Sequence, residues 1–163
     1  MKGRYWVDAN SFIWGARDPY PMPGAMAYWN WFAKMVEAGR ITTHWKALQE
    51  VLDGEKKGQP EPIVSWVRTR RAVLVDPAPD SKECQTLVGE LCQFSYSEFG
   101  SAKTVEFTKG ADLFLIARAA LDDGAVVTQE SEKKMVRIPT VCAAFGVRYL
   151  TLFKMNHELK MKL

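Results

Sequence analysis

The stretch from Gly110 to Leu121 constrains this chain most. It has the periodicity of a helix yet is apolar nearly all round, and a helix without a polar face must be buried. Gly124 closes it, and Ala125-Val126-Val127-Thr128 follows as a buried-type strand. A buried helix feeding a buried strand needs further layers to cover both, so an open all-helical bundle is a poor solution for this chain.

The remaining segments supply those layers. Tyr5-Trp6-Val7 is a short apolar run that stops at Asp8-Ala9-Asn10-Ser11, the signature of a strand turning into a helix. Pro19, Pro21, Pro23 and Gly24 make a loop. The spacing predicts a helix over Ala25 to Ala38, with Trp29, Phe32 and Val36 on one stripe and Gly39 as its stop. A second helix is expected over Thr43 to Asp53, with Trp45, Leu48 and Leu52 on one face. Gly54 and Glu55-Lys56-Lys57 close it. A third covers Ile63 to Arg71, with Pro62 in its first turn. Ala72 to Val75 reads as a strand or an extended connector. Asp80 or Ser81 caps a helix carrying Cys84, Leu87, Val88 and Leu91. Pro139 to Phe145 is a short helix ended by Gly146, and Val147 to Phe153 is the last strand.

This order predicts one α/β domain over residues 1–155, with a central parallel sheet, and a polar-basic tail over 156–163, either helical or frayed. In such sheets a ligand site lies beyond the carboxyl ends of the strands. That rule selects Asp8 and Thr128-Gln129-Glu130, which directly follow strands.

Charge and composition narrow the function without naming it. The 163 residues suit one domain, and a net charge of +3 permits an anionic partner without demanding one. Cys84, Cys92 and Cys142 form no zinc-knuckle spacing and read as free thiols. No apolar run is long enough to span a membrane. The opening residues lack the apolar core of a secretory signal, so a cytoplasmic protein is expected. There is no GxSxG, P-loop or GxGxxG motif. His44 and His157 stand in no ligand or triad spacing and read as structural or exposed.

Each candidate acid has two readings. Asp8 is a helix cap or a metal ligand. Asp112 shares a helical face with Leu115, Ile116 and Ala119. It either caps that helix or faces a cleft in which a cation neutralises it, because an unpaired buried carboxylate is costly. Glu50 lies off the Leu48–Leu52 face and, by periodicity alone, is solvated. Glu130 sits in a strand-end segment that reads as a surface loop.

A family resemblance reweights these readings. Tyr5 to Ile13 looks like the first strand and acidic turn of PIN-like ribonucleases, in a VapC-like branch related to the toxins of type II toxin–antitoxin pairs. Trp29-Asn30-Trp31-Phe32 with Gly39-Arg40-Ile41 resembles the next helix and its exit, and Leu48-Gln49-Glu50-Val51-Leu52 the helix of the second acid. Gly110 to Ala119 resembles the third-acid helix, and Val126 to Glu130 the strand that delivers a polar group. Ile138 to Cys142 with Phe145-Gly146-Val147 resembles the closing motif. The chain also resembles the DUF4411 family. Two positions depart from the PIN-like pattern: Gln129 intervenes before Glu130, and Thr140 stands where the closing motif often carries Asp.

The resemblance implies a PIN-like three-layer α/β/α domain. It implies a metal-dependent endoribonuclease, with Asp8, Glu50, Asp112 and Glu130 as catalytic and metal-binding acids. Asn10 and Thr128 would hold those acids by hydrogen bonds from behind, and Mg²⁺ or Mn²⁺ would be the cofactor. The implied partners are an RNA substrate and a cognate antitoxin protein, with no membrane and a homodimer left open. Arg68, Arg70, Arg71, Lys133, Lys134 and Arg137 are candidate phosphate contacts. Two rival readings stand beside it: a haloacid-dehalogenase-like phosphoryl-transfer enzyme, which usually wants Asp where Asn10 stands, and a non-catalytic PIN-like binding module.

Overall fold

The computed structural model describes residues 3–54, 61–130 and 136–163. Its centre is a four-stranded, all-parallel sheet in the order β2-β1-β3-β4. The strands are β1 (Tyr5–Val7), β2 (Ile41–Thr42), β3 (Ala125–Val127) and β4 (Arg148–Leu150). Tyr5 is level with Ile41 and Ala125, and Val127 with Leu150. All four carboxyl ends therefore open on one edge, where Asp8, Thr43, Thr128 and Thr151 follow the strands.

Alternation along the strands divides the core in two. Tyr5 and Val7 of β1, Ala125 and Val127 of β3 and Leu150 of β4 face one layer. Its helices are α1 (Ala9–Arg17), α2 (Met26–Glu37), α3 (Trp45–Asp53), α4 (Pro62–Thr69) and, after β4, α10 (Leu152–Glu158). Phe12, Trp29, Phe32 and Trp66 fill the space between them. Trp6 and Val126 face the other way, onto α6 (Lys82–Phe99), α8 (Asp112–Asp122) and α9 (Ile138–Phe145). The result is the expected α/β fold, a PIN-like domain with helices on both faces of a parallel sheet.

α8 is as buried as its sequence demands: Leu113, Leu115, Ile116, Ala117 and Ala119 are all inside. Its stop differs from expectation. Asp123 takes the left-handed position (φ 58°), whereas Gly124 is needed for close approach: a Cβ there would stand 2.2 Å from the Arg4 carbonyl oxygen. Gly124 thus lets β3 enter beside β1, where Ala125 N–H donates to that same carbonyl at 3.0 Å.

Several local expectations are corrected. Residues 71–74 form α5 (Arg71–Leu74), and only Val75 bridges to Thr43. The helical turn wins because its amides find partners one turn back, Val73 N–H and Leu74 N–H on the Arg70 carbonyl. β4 stops at Leu150, because the Thr151 hydroxyl accepts from Lys154 N–H and starts α10. That helix runs through residue 156. Asn156 is buried, with its side chain bonded to the hydroxyls of Tyr20 and Tyr28. On α3 the buried face is Ala47, Leu48 and Val51, while Trp45 is exposed. The short β2 and α7 (Ser101–Lys109) were not legible in the periodicity. Among the described residues no helix is long and apolar enough to cross a membrane.

Candidate acidic active site

Asp8 is a helix cap that stands at the open edge of the sheet. It ends β1 and caps α1, accepting Ser11 N–H on Oδ1 at 2.7 Å. It is also buried at the sheet edge. Burial raises its carboxyl from 3.8 to about 6. Hydrogen bonds from Ser11 and Thr128 oppose the rise, and the charge of Glu130 adds to it. The Thr128 hydroxyl thus serves two acids: it bonds Asp8 and accepts Glu130 N–H at 3.2 Å.

Asp112 caps nothing. The N-cap of α8 is Ala111, with no side-chain cap bond, and Asp112 is the first helical residue. The cap comes from Glu50 instead. Glu50 is exposed on α3, as its periodicity says, yet its Oε1 accepts Ala111 N–H at 2.9 Å. Gly110 makes room for this: a Cβ there would lie 2.9 Å from the same oxygen. Partial desolvation of the bonded end of Glu50 raises its carboxyl, the Ala111 amide opposes, and Asp53 adds to the rise.

Glu130 repeats the pattern. Its Oε2 accepts Ile138 N–H, at the first residue of α9, at 3.0 Å. Three acids therefore satisfy the amino ends of three helices: Asp8 on α1, Glu50 on α8 and Glu130 on α9. Helix amino termini carry unpaired N–H groups and partial positive charge, which favours anions there. Among the described residues, this holds the three carboxylates in place without a cationic side chain.

Asp112 bears the consequence. Burial holds its carboxyl well above the usual carboxylate range, and the charges of Asp8, Glu130 and Glu50 push it further. Behind it, burial raises the Cys142 thiol to about 12, with Asp112 and Glu130 adding. All four predicted acids thus meet in one electrostatic environment. Among the described residues, no three of them share one point closely enough to hold an ion in this arrangement. The bonds to Ser11, Ala111 and Ile138 draw three carboxylates toward three different helix ends.

Two grooves meet at Asn10. One, of about 450 Å³, runs past Ile13 and Arg17 to Glu50, Asp53 and Glu61. The other, of about 700 Å³, passes Glu130 to Lys103, Glu106 and Arg137. Asn10 is exposed and, among the described residues, bonds none of the four acids. Of the predicted phosphate contacts, Arg137 lines the second groove, while Arg70 stacks on Trp66 with its guanidinium 4.6 Å from the ring. Lys133 and Lys134 lie outside the described residues.

Sequence reasoning missed Ser11 and the role of Gln129. The Ser11 hydroxyl donates to the Val127 carbonyl at 3.3 Å and accepts from Gln129 Nε2 at 3.2 Å, which ties the acidic turn to the end of β3. An N-cap motif shows where a serine backbone goes but not where its hydroxyl points.

The fold is shared with a chain of the crystal structure of VapBC2 from Rickettsia felis bound to a DNA fragment from their promoter. The TM-score is 0.52 at 14% identity, over 90% of this chain and 97% of that one. At that identity the likeness concerns fold alone. No curated protein matches the chain. The family model of DUF4411, a domain of unknown function, matches residues 5–163, and the chain belongs to that family.

Proposed function

We propose that this chain is a metal-dependent endoribonuclease, the toxin of a type II toxin–antitoxin pair, with Asp8, Glu50, Asp112 and Glu130 as its site. The observation that carries the reading is Asp112: a carboxylate at the open edge of a parallel sheet, facing three further acids, with no cationic side chain bonded to any of the four among the described residues. Clustered acids kept without a counter-charge cost stability, and an all-oxygen donor set suits a hard divalent ion such as Mg²⁺ or Mn²⁺. The fold shared with a chain of a VapBC complex supports the toxin reading.

Asp8 and Asp112 would hold the principal ion, with Glu50 and Glu130 completing its shell. Bound there, a divalent ion supplies Lewis-acid stabilisation of the charge that develops on a phosphodiester under attack by water. The chain's own part is positioning. Ser11 and Thr128 orient Asp8. The Ala111 and Ile138 amides orient Glu50 and Glu130, and among the described residues the second oxygen of each makes no hydrogen bond. Thr128 couples Asp8 to Glu130, so a shift of one is felt by the other. In this reading a cognate antitoxin protein covers the site and the chain acts in the cytoplasm.

The test is cleavage of a mixed single-stranded RNA by purified protein. Mg²⁺ or Mn²⁺ should support cleavage, EDTA should abolish it, and Asp8→Asn should abolish it with metal present. Undiminished cleavage in EDTA, or by Asp8→Asn, overturns the reading.

A further inference from the structure

The outward face of α1 leads away from the acids to an unusual surface. α1 buries Phe12, Gly15 and Ala16 and turns Asn10, Ile13, Trp14 and Arg17 outward, a spacing that places all four on one stripe. Asn10, Ile13 and Arg17 line the groove that reaches Glu50. Trp14 stands on the far side of the stripe and meets Phe153 of α10 edge to face, with ring centroids 5.6 Å apart at 82°. Tyr20 meets the same ring at 6.2 Å and 64°. Two rings therefore hold the plane of Phe153, yet it remains 52% exposed.

Phe153 opens onto a shallow pocket of about 460 Å³ whose rim includes Tyr20, His157, Lys160 and Lys162. Lys154, next to Phe153, is exposed as well. Among the described residues neither Lys160 nor Lys162 has an acidic partner within salt-bridge distance. The groove on the other side of α1 is the reverse: Glu50, Asp53 and Glu61 wall it, and its Arg17 is already paired with Glu61. A polyanion lying along α1 is repelled by that wall and attracted by Lys154, Lys160 and Lys162; the one carboxylate on α10, Glu158, is paired with Arg148 and also lies near Lys154.

The sheet brings this surface to the acids. Asp8 N–H donates to the Val127 carbonyl and Thr128 N–H to the Leu150 carbonyl, both at 3.0 Å. α10 therefore begins at the same edge as the site. Trp14 follows Asp8 by six residues, about 9 Å along the helix axis.

We propose that this face, Phe153 braced by Trp14 and Tyr20 with Lys154, Lys160 and Lys162 around it, binds the single-stranded RNA that enters the acidic site. One base stacks on Phe153 and the lysines meet its phosphates. The assignment rests on the ribonuclease reading. A fixed aromatic ring among cations is the combination that single-stranded nucleic acid uses. Protein interfaces, by contrast, are depleted in lysine.

The test is fluorescence anisotropy with a 5′-fluorescein-labelled 12-nucleotide single-stranded RNA, with Ca²⁺ in place of Mg²⁺. Phe153→Ala and Phe153→Leu should each weaken binding by about tenfold, the worth of one stacked base. Phe153→Trp should bind like the parent, which a role in packing alone does not predict. Lys160→Gln with Lys162→Gln should lower the slope of log K against log salt by about 1.4. Parent-like affinity in Phe153→Leu together with a parent-like salt slope in the lysine variant overturns the proposal. So does loss of a co-expressed partner protein by Phe153→Leu while RNA affinity is unchanged. Metal-dependent cleavage by the parent with unaltered binding by these variants sinks this face alone. A parent that neither binds nor cleaves RNA sinks the ribonuclease reading and the face with it.

Discussion

α8 carries a group of buried or half-buried charges at each end, and the two groups are built on opposite principles. At its amino end Asp112 faces Asp8, Glu50 and Glu130, with helix amino termini as the only positive partners among the described residues. Farther along, about 9 Å away at Arg118 and about 15 Å at Asp122, these two join a network in which acids and cations alternate. Arg4 bridges Asp76 at 2.5 Å and Asp122 at 2.7 Å. Arg118 reaches Asp76 at 3.3 Å and Asp80 at 3.8 Å, and Asp80 holds His44 at 3.0 Å. Trp6 lies within about 5 Å of both guanidiniums and donates its indole N–H to Asp122. Burial there is balanced by pairing: the Arg4 and Arg118 charges and the Ala78 amide hold the Asp76 carboxyl below its usual range despite burial. The comparison separates a charge cluster that stabilises the fold from one that the fold must tolerate. Only the second has a reason to exist outside the folded chain itself.

The sharpest break of this comparison substitutes each end of α8 in turn. Asp112→Asn should lower RNA cleavage on the order of a thousandfold, since it removes a group that matters when charge develops in the transition state. It should leave the fold intact. Arg118→Met should do the reverse. It leaves Asp76 with Arg4 alone and Asp80 with His44 alone and should cost about 3 kcal/mol, a fall of about 6–12 °C in melting temperature for a domain of this size. Its activity per folded molecule should be unchanged. Cleavage assays beside thermal melts decide it, and two variants with the same phenotype would erase the distinction.

pH and metal sharpen the same contrast. An acid whose pKa is raised by folding destabilises the protein where it is ionised, and that cost disappears as pH falls through the raised value. With its carboxyl raised from 3.8 to about 6, Asp8 should make the metal-free protein more stable at pH 5 than at pH 7.5. The full difference corresponds to about 3 kcal/mol once pH is below both values. Asp8→Asn should flatten the dependence in that window. Asp112→Asn should stabilise the metal-free protein at pH 7.5 and should lose most of the gain in melting temperature that Mg²⁺ confers on the parent by mass action. Melts in EDTA and in excess Mg²⁺ at both pH values give the answer. Equal Mg²⁺ shifts in parent and variant would mean that the ion binds elsewhere.

The smallest effect concerns Glu50. Gly110→Ala places a methyl 2.9 Å from Glu50 Oε1, and a flexible glutamate can yield by leaving Ala111 N–H. Stability should change by about 1 kcal/mol, the worth of one capping bond, while cleavage falls about tenfold because a positioned acid has lost its anchor. Unchanged cleavage would return Glu50 to the solvated role its periodicity suggests.

Asp8 and Glu50 show how unevenly the site was legible. Asp8 could be found from local rules, because a strand that ends in a capping residue puts that residue at the open edge of a parallel sheet. The cap is there, with Ser11 N–H bonded to its Oδ1. Glu50 could not be found that way. Its own helix declares it exposed, and it is; its link to the acid group runs through Ala111, which is 61 residues away in sequence. Only the family resemblance singled it out. Glu130 lay in between, since its place after β3 was visible but its bond to the amino end of α9 was not.

By itself the sequence determined the layers. The all-round apolar helix, the apolar runs that become β1 and β3, and the glycine and proline stops required helices on both faces of a parallel sheet, since periodicity and burial are local properties of a segment. Tertiary structure alone decided which carboxylates are neutralised. That depends on which distant groups a side chain meets: Asp122 meets Arg4 and Trp6 across the sheet, while Asp112, ten residues earlier on the same helix, meets three other acids. No periodicity encodes that difference, because Coulomb energy follows distance in space and local dielectric, and both are set only when the chain has folded.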